Sequence, residues 1–128
     1  MSEPFLHSLF SLEGKVAVVT GGSGALGAAM AKGLAQAGAR VAILARRIEP
    51  ATAIAAAIET IGGTALALSA DVRERAQVER ACATIVDRWR RVDILVNASS
   101  RDIFGCSKNR QNRIVENSTY PLDDFGFR

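Results

Sequence analysis

Val16-Ala17-Val18-Val19-Thr20 is a short, nearly all-apolar run that passes into Gly21-Gly22-Ser23-Gly24-Ala25-Leu26-Gly27 and then into a segment with apolar residues three and four apart. A run of this kind reads as a strand covered on both faces. A strand that enters a glycine turn and leaves it as a helix is half of a strand-helix-strand unit, and such units build a parallel sheet with helices above and below.

The pattern repeats. Further strands are predicted at residues 41–45, 65–69 and Ile94–Asn97. The first helix carries Leu26, Ala29, Met30, Gly33, Leu34 and Ala37 on its apolar stripe and stops at Gly38. The second has Pro50 near its start, Ile54, Ala57, Ile58 and Ile61 on one face, and Gly62-Gly63 at its end; the third lines up Val78, Cys82, Ile85 and Trp89. Right-handed crossovers then give the order 3-2-1-4, with the first two helices on one face and the third on the other. The expectation is an α/β chain, a partial Rossmann fold: residues 1–13 an extension, 14–98 a dinucleotide-binding half-domain, and 99–128 a divergent tail without sustained periodicity.

Composition excludes several alternatives. No apolar run approaches the roughly 18 residues of a membrane span, and the opening MSEPFLHSLFSLEGK has no basic leader or long apolar centre, so a cytoplasmic location and no membrane partner are expected. Cys82 and Cys106 stand alone and read as reduced thiols; no metal site is expected, and His7 reads as a surface residue. The net charge of +3 comes from arginines interspersed with acids, which argues against a nucleic-acid footprint.

The glycines suit a phosphate, because the turn brings backbone N–H groups and a helix N-terminus to one point. Three alignments are open: G-x-G-x-x-G on Gly22, Gly24 and Gly27; T-G-x-x-G-x-x-G on Thr20, Gly21, Gly24 and Gly27; and T-G-x-x-x-G-x-G with Ala25 in place of the middle glycine. Candidate cofactor residues are Thr20, Gly21, Gly22, Ser23, Gly24, Ala25, Leu26 and Gly27. The second strand ends in Arg46-Arg47 with no carboxylate, which favours NADP over NAD. After the third strand, Asp71 followed by Val72 is placed to accept from an adenine amino group; with Glu74 three residues on, Asp71 also reads as a helix N-cap.

The segments GKVAVVTGG (14–22), AGARVAIL (37–44), Asp71-Val72 and VDILVNA (92–98) closely resemble, in order and spacing, the short-chain dehydrogenase/reductase family. Residues 27–35 are also similar to its fructuronate reductase, or D-mannonate oxidoreductase, branch. The resemblance implies hydride transfer between a nicotinamide and a carbonyl or alcohol, and it favours the T-G-x-x-x-G-x-G alignment. It further implies that Asn97 steadies the sheet and that the next residues approach the cofactor ribose. Ala98, Ser99 and Ser100 fill those places, with Ser100 where glycine is expected.

The family's catalytic serine, tyrosine and lysine find no match. Tyr120 is the one tyrosine, the residue four further on is Asp124, and no lysine follows. Ser107 stands thirteen residues before Tyr120, the family's interval, but only ten beyond Asn97, without the intervening strand and helix. Residues 99–120 show no resemblance, whereas residues 121–125 look like the segment that leads into the family's next long helix. The chain therefore reads as a truncated or frame-disturbed cofactor half, with no catalytic residues. Its open sheet edge is expected to expose an apolar patch beside the third helix and to favour self-association or pairing with a full-length relative. The alternative is a non-catalytic nucleotide-binding or interaction module.

Overall fold

A computed structural model of the protein describes residues 3–99, 106–108 and 114–116. The elements are α1 (Glu3–Phe10), β1 (Val16–Thr20), α2 (Ala25–Gln36), β2 (Arg40–Ala45), α3 (Ile48–Thr60), β3 (Thr64–Ser69), α4 (Arg75–Trp89), β4 (Ile94–Asn97), β5 (Cys106–Lys108) and β6 (Ile114–Glu116). The chain divides into two units, Met1–Ala98 and Ser99–Arg128.

In the first unit the sheet is parallel and ordered β3-β2-β1-β4, as the sequence pattern predicts. Alternate side chains separate two cores. Ala17, Val19, Val41, Ile43 and Ala45 pack with Ala31 and Ala35 of α2 and Ala51, Ala55 and Ile58 of α3. Val16, Val18, Ala42 and Leu44 pack on the opposite face with Ala81, Ile85 and Trp89 of α4. Helix placement thus follows the predicted handedness.

The helix faces differ from those read by hydrophobicity. On α2 the buried residues are Gly27, Ala31 and Ala35, while Leu26 and Met30 are exposed. The helix starts directly against the Gly21-Gly22 turn, Ala31 and Ala35 follow Gly27 inside, and Leu34 of the predicted stripe packs partly buried against the same core. On α3, Ala51 and Ala55 join Ile58 inside and Ile61 is exposed. On α4, Ala81 takes the buried place assigned to Cys82, which is a free, exposed thiol.

Helix ends follow local chemistry. Gly38 at φ +102° and Gly62 at φ +85° carry the chain out of α2 and α3 through the left-handed region that glycine enters freely. Arg90 makes the same turn after α4 at φ 66° without glycine's freedom. The sequence pattern predicts no element in residues 1–13, yet Glu3–Phe10 is helical, with Phe5, Leu9 and Phe10 exposed. Leu12 joins the extension to the sheet: its N–H donates to the Ala37 carbonyl at 2.7 Å, and its side chain packs on the first core.

Among the described residues of the second unit, β5 pairs with β6 in antiparallel register, with Ser107 opposite Val115. The sequence pattern predicts no element there.

Candidate functional site

All strands of the first unit run the same way, so the loops after β1, β2, β3 and β4 leave one edge of the sheet. In register, Thr20 lies opposite both Leu44 and Asn97, and Ala45 opposite Ser69. Four of the sequence-predicted groups therefore meet at the carboxyl edge: the glycine turn, Arg46-Arg47, Asp71-Val72 and Asn97-Ala98.

The glycine turn is built by close approach. Gly21 sits at φ 65°, its N–H donating to the Leu44 carbonyl at 3.0 Å and its carbonyl accepting from Gly24 N–H at 3.1 Å. A Cβ on Gly27 would fall on the Gly21 carbonyl oxygen, and one on Gly22 would lie 2.6 Å from Ile43 Cγ2. At Gly24 the nearest atom would be 3.5 Å away, an ordinary contact. Gly27 thus admits no side chain and Gly21 lies in the left-handed region, whereas Gly24, on which both other alignments rely, has room for one; T-G-x-x-x-G-x-G does not need it. Ala25, in the middle-glycine place, is the exposed first residue of α2.

Above this turn, α2 begins without a cap. Gly24 is the extended N-cap residue, no side chain bonds to the helix end, and the first turn has no acidic residue. The first intrahelical bond is Ala28 N–H to the Gly24 carbonyl, at 2.8 Å. The N–H groups of Ala25, Leu26 and Gly27 precede it and have no intrahelical acceptor. Ser23 through Leu26 are exposed, so this positive helix end opens to solvent. It fits an anion such as a pyrophosphate.

Arg46 and Arg47 are exposed, with Arg47 as the extended residue before α3. The Ser69 hydroxyl donates to the Arg46 carbonyl at 3.1 Å, joining the loops after β2 and β3. Asp71 does not cap α4, which starts after Glu74 with no side-chain cap. Its carboxylate closes its own turn instead. Oδ1 accepts from the Arg73 backbone N–H at 3.0 Å and Nε at 3.1 Å, and Oδ2 from Nη2 at 2.7 Å. These bonds, the guanidinium's first, hold the carboxyl down to about 2. Gln77 Oε1, from the first turn of α4, accepts the Asp71 N–H at 2.9 Å; the capping-box reading had assigned the i+3 role to Glu74. Val72 is half-buried.

At the end of β4, Thr20 Oγ1 lies 3.4 Å from both the Val96 carbonyl and Asn97 Oδ1, and Ala98 N–H donates to the Thr20 carbonyl at 3.1 Å. One hydroxyl proton serves one acceptor at a time. Thr20 and Asn97 thus join the first and fourth strands beside the glycine turn. Ser99 opens the second unit, and Ser100, Tyr120 and Asp124 lie outside the described residues.

Sequence reasoning missed Asp93, at the opposite edge. Its Oδ2 accepts Val16 N–H at 2.9 Å while its own N–H donates to the Val16 carbonyl at 2.9 Å, and Arg91 holds both carboxylate oxygens. The Arg91 hydrogen bonds, then that of Val16, lower its pKa. An Arg-x-Asp immediately before a strand was the available signal. Among the described residues no cluster of His, Cys, Asp and Glu could hold a metal ion, and no helix is long and apolar enough to cross a membrane.

The family model for short chain dehydrogenase matches residues 15–118 and so extends past Ala98 into the tail read as divergent. The uncharacterized oxidoreductase UxuB of Bacillus subtilis is 43% identical over 110 residues, which are 86% of this chain and 37% of that protein. A dehydrogenase/reductase structure from Sinorhizobium meliloti matches with a TM-score of 0.75 at 37% identity, over 89% of this chain and 44% of its own. A metagenomic short-chain oxidoreductase solved in complex with NADP matches with a TM-score of 0.63 at 36% identity, over 66% of this chain and 38% of its own. The chain spans less than half the length of each.

Proposed function

We propose, from the premise that this chain belongs to the short-chain dehydrogenase family, that its first unit binds a nicotinamide dinucleotide, NADP in preference to NAD. The observation that carries the reading is the uncapped N-terminus of α2 above a turn where Gly22 and Gly27 admit no side chain and Gly21 sits at φ 65°. The N–H groups of the first turn would hold the pyrophosphate, Arg46 and Arg47 the 2′-phosphate, and Asp71 and Val72 the adenine edge; Asn97 and Ala98 would border the ribose next to the nicotinamide. The NADP complex of a relative 36% identical supports the cofactor class.

The bound nicotinamide would supply hydride chemistry to a carbonyl or alcohol. This chain's part is to bind and orient the dinucleotide, since the family's serine, tyrosine and lysine have no match in it. Titration of the 128-residue chain with NADPH and NADH, followed by nucleotide fluorescence, tests the proposal. Saturable binding with NADPH the tighter is expected, and binding of neither would overturn the reading. Carbonyl reduction by the chain alone would overturn the absence of catalytic residues.

A cytoplasmic setting belongs to the same reading. A second reading, an interaction module, is favoured by one feature: Leu95 on edge strand β4 is 61% exposed, with Val86 and Val92 exposed as well. A sedimentation coefficient independent of concentration would exclude self-association there.

A further inference from the structure

The surroundings of Asp71 carry an inference that rests on the dinucleotide reading above. Ala45 and Ser69 are partners across β2 and β3, so Arg46 and Asp71 leave adjacent strand ends. Two hydrogen bonds hold those ends together: Ser69 Oγ to the Arg46 carbonyl, and Ala70 N–H to the Ala45 carbonyl at 2.9 Å. Asp71 lies within electrostatic reach of Arg46. An unclamped carboxylate at this position would attract Arg46 away from a ligand and repel a phosphate placed beside it.

Arg73 prevents both. Its backbone N–H, Nε and Nη2 all donate to the Asp71 carboxylate, the last two as a fork on both oxygens, and the resulting ion pair is 2.7 Å long. A forked guanidinium neutralises a carboxylate and fixes its plane, which a lysine cannot do. We propose that Arg73 determines specificity for the ribose 2′-phosphate: by clamping Asp71 it leaves Arg46 and Arg47 available to the phosphate. Arg73 acts here as a positioning residue.

The test compares NADPH and NADH affinities of the full chain with those of R73A, R73K, R75A and the double variant D71N/R73A. R73A is expected to reduce the NADPH-to-NADH affinity ratio about fivefold, a modest through-solvent electrostatic effect. R73K recovers part of the ratio. R75A removes a cation paired with Glu79 on the same helix and leaves the ratio unchanged. The double variant restores NADPH preference, because the carboxylate that needed clamping is gone; a merely structural role for Arg73 would give no such rescue. An unaltered ratio in R73A, an equal fall in R75A, or no rescue in the double variant would each overturn the proposal. Binding of neither nucleotide by the parent chain would instead remove the dinucleotide reading on which it rests.

Discussion

Two glycines of α2 should respond in opposite directions to the same substitution. Gly33 has nothing within 4 Å of where a Cβ would stand, so Gly33→Ala gains only the helix preference of alanine, about 0.8–1 kcal/mol. Gly27→Ala gains the same preference but drives its methyl into the Gly21 carbonyl and to 2.9 Å from Gly22 Cα. Gly21 cannot retreat freely, since its N–H bonds to Leu44 and its carbonyl receives Gly24. Overpacking against backbone at such short contact lies at the upper end of the usual range, roughly 2–3 kcal/mol. After the helix gain, a net loss of about 1–2 kcal/mol is expected, leaving the two variants roughly 2–3 kcal/mol apart. Urea denaturation of the full chain, followed by circular dichroism, measures both. The reasoning is refuted if Gly27→Ala is as stable as the parent, because the turn could then move an ångström at no cost.

Acid should weaken the fold through two carboxylates. Asp71 is held at about 2 and Asp93 is also lowered, so each binds its proton less readily folded than unfolded. Their stabilisation is complete above an unfolded carboxyl pKa of about 4 and is lost as pH falls from there toward about 2. Melting temperatures between pH 6 and 2.5 should fall in that window, with a shallower slope in Asp71→Asn; a flat profile would exclude these contacts. Arg90→Gly should stabilise by about 0.5–1 kcal/mol, because glycine occupies φ 66° without a Cβ penalty; a lower melting temperature would contradict this. Asp93→Ala should lower the urea midpoint while leaving NADPH affinity unchanged within error, and a matching loss of affinity would show that the two edges are coupled.

The sheet order was legible because each strand is a dense apolar run bounded by turn residues, and parallel crossovers have one hand. The helix faces were less legible. Hydrophobicity alone assigns Leu26 and Met30 to the interior, but α2 starts with Gly27 directly against Gly21, and Ala31 and Ala35 follow it inside. Cys82 and Ala81 exchanged places for a related reason: adjacent residues on a helix differ by about 100°, and a stripe of mixed sizes leaves the boundary open. In the site, the glycine pattern leaves three readings open, and only the close contacts at Gly27 and the positive φ at Gly21 set those two apart from Gly24. Asp71 was legible as a polar residue at a strand end but not as the partner of Arg73 and Gln77. Side-chain pairings two and six residues apart in a loop carry no periodic signal.

The clasp at Asp93 and the tie from Leu12 to Ala37 both secure the amino edge of the sheet, whereas every proposed ligand contact leaves the carboxyl edge. A ligand would therefore arrive at loops whose far ends are already fastened. Amide exchange at residues 21–27 and 70–73 should slow on binding while residues 12–16 and 93 keep their rates. In such a molecule an occupied site is felt as stiffness at one rim, and the opposite rim can be strengthened or weakened to set how long the chain survives without altering what it recognises.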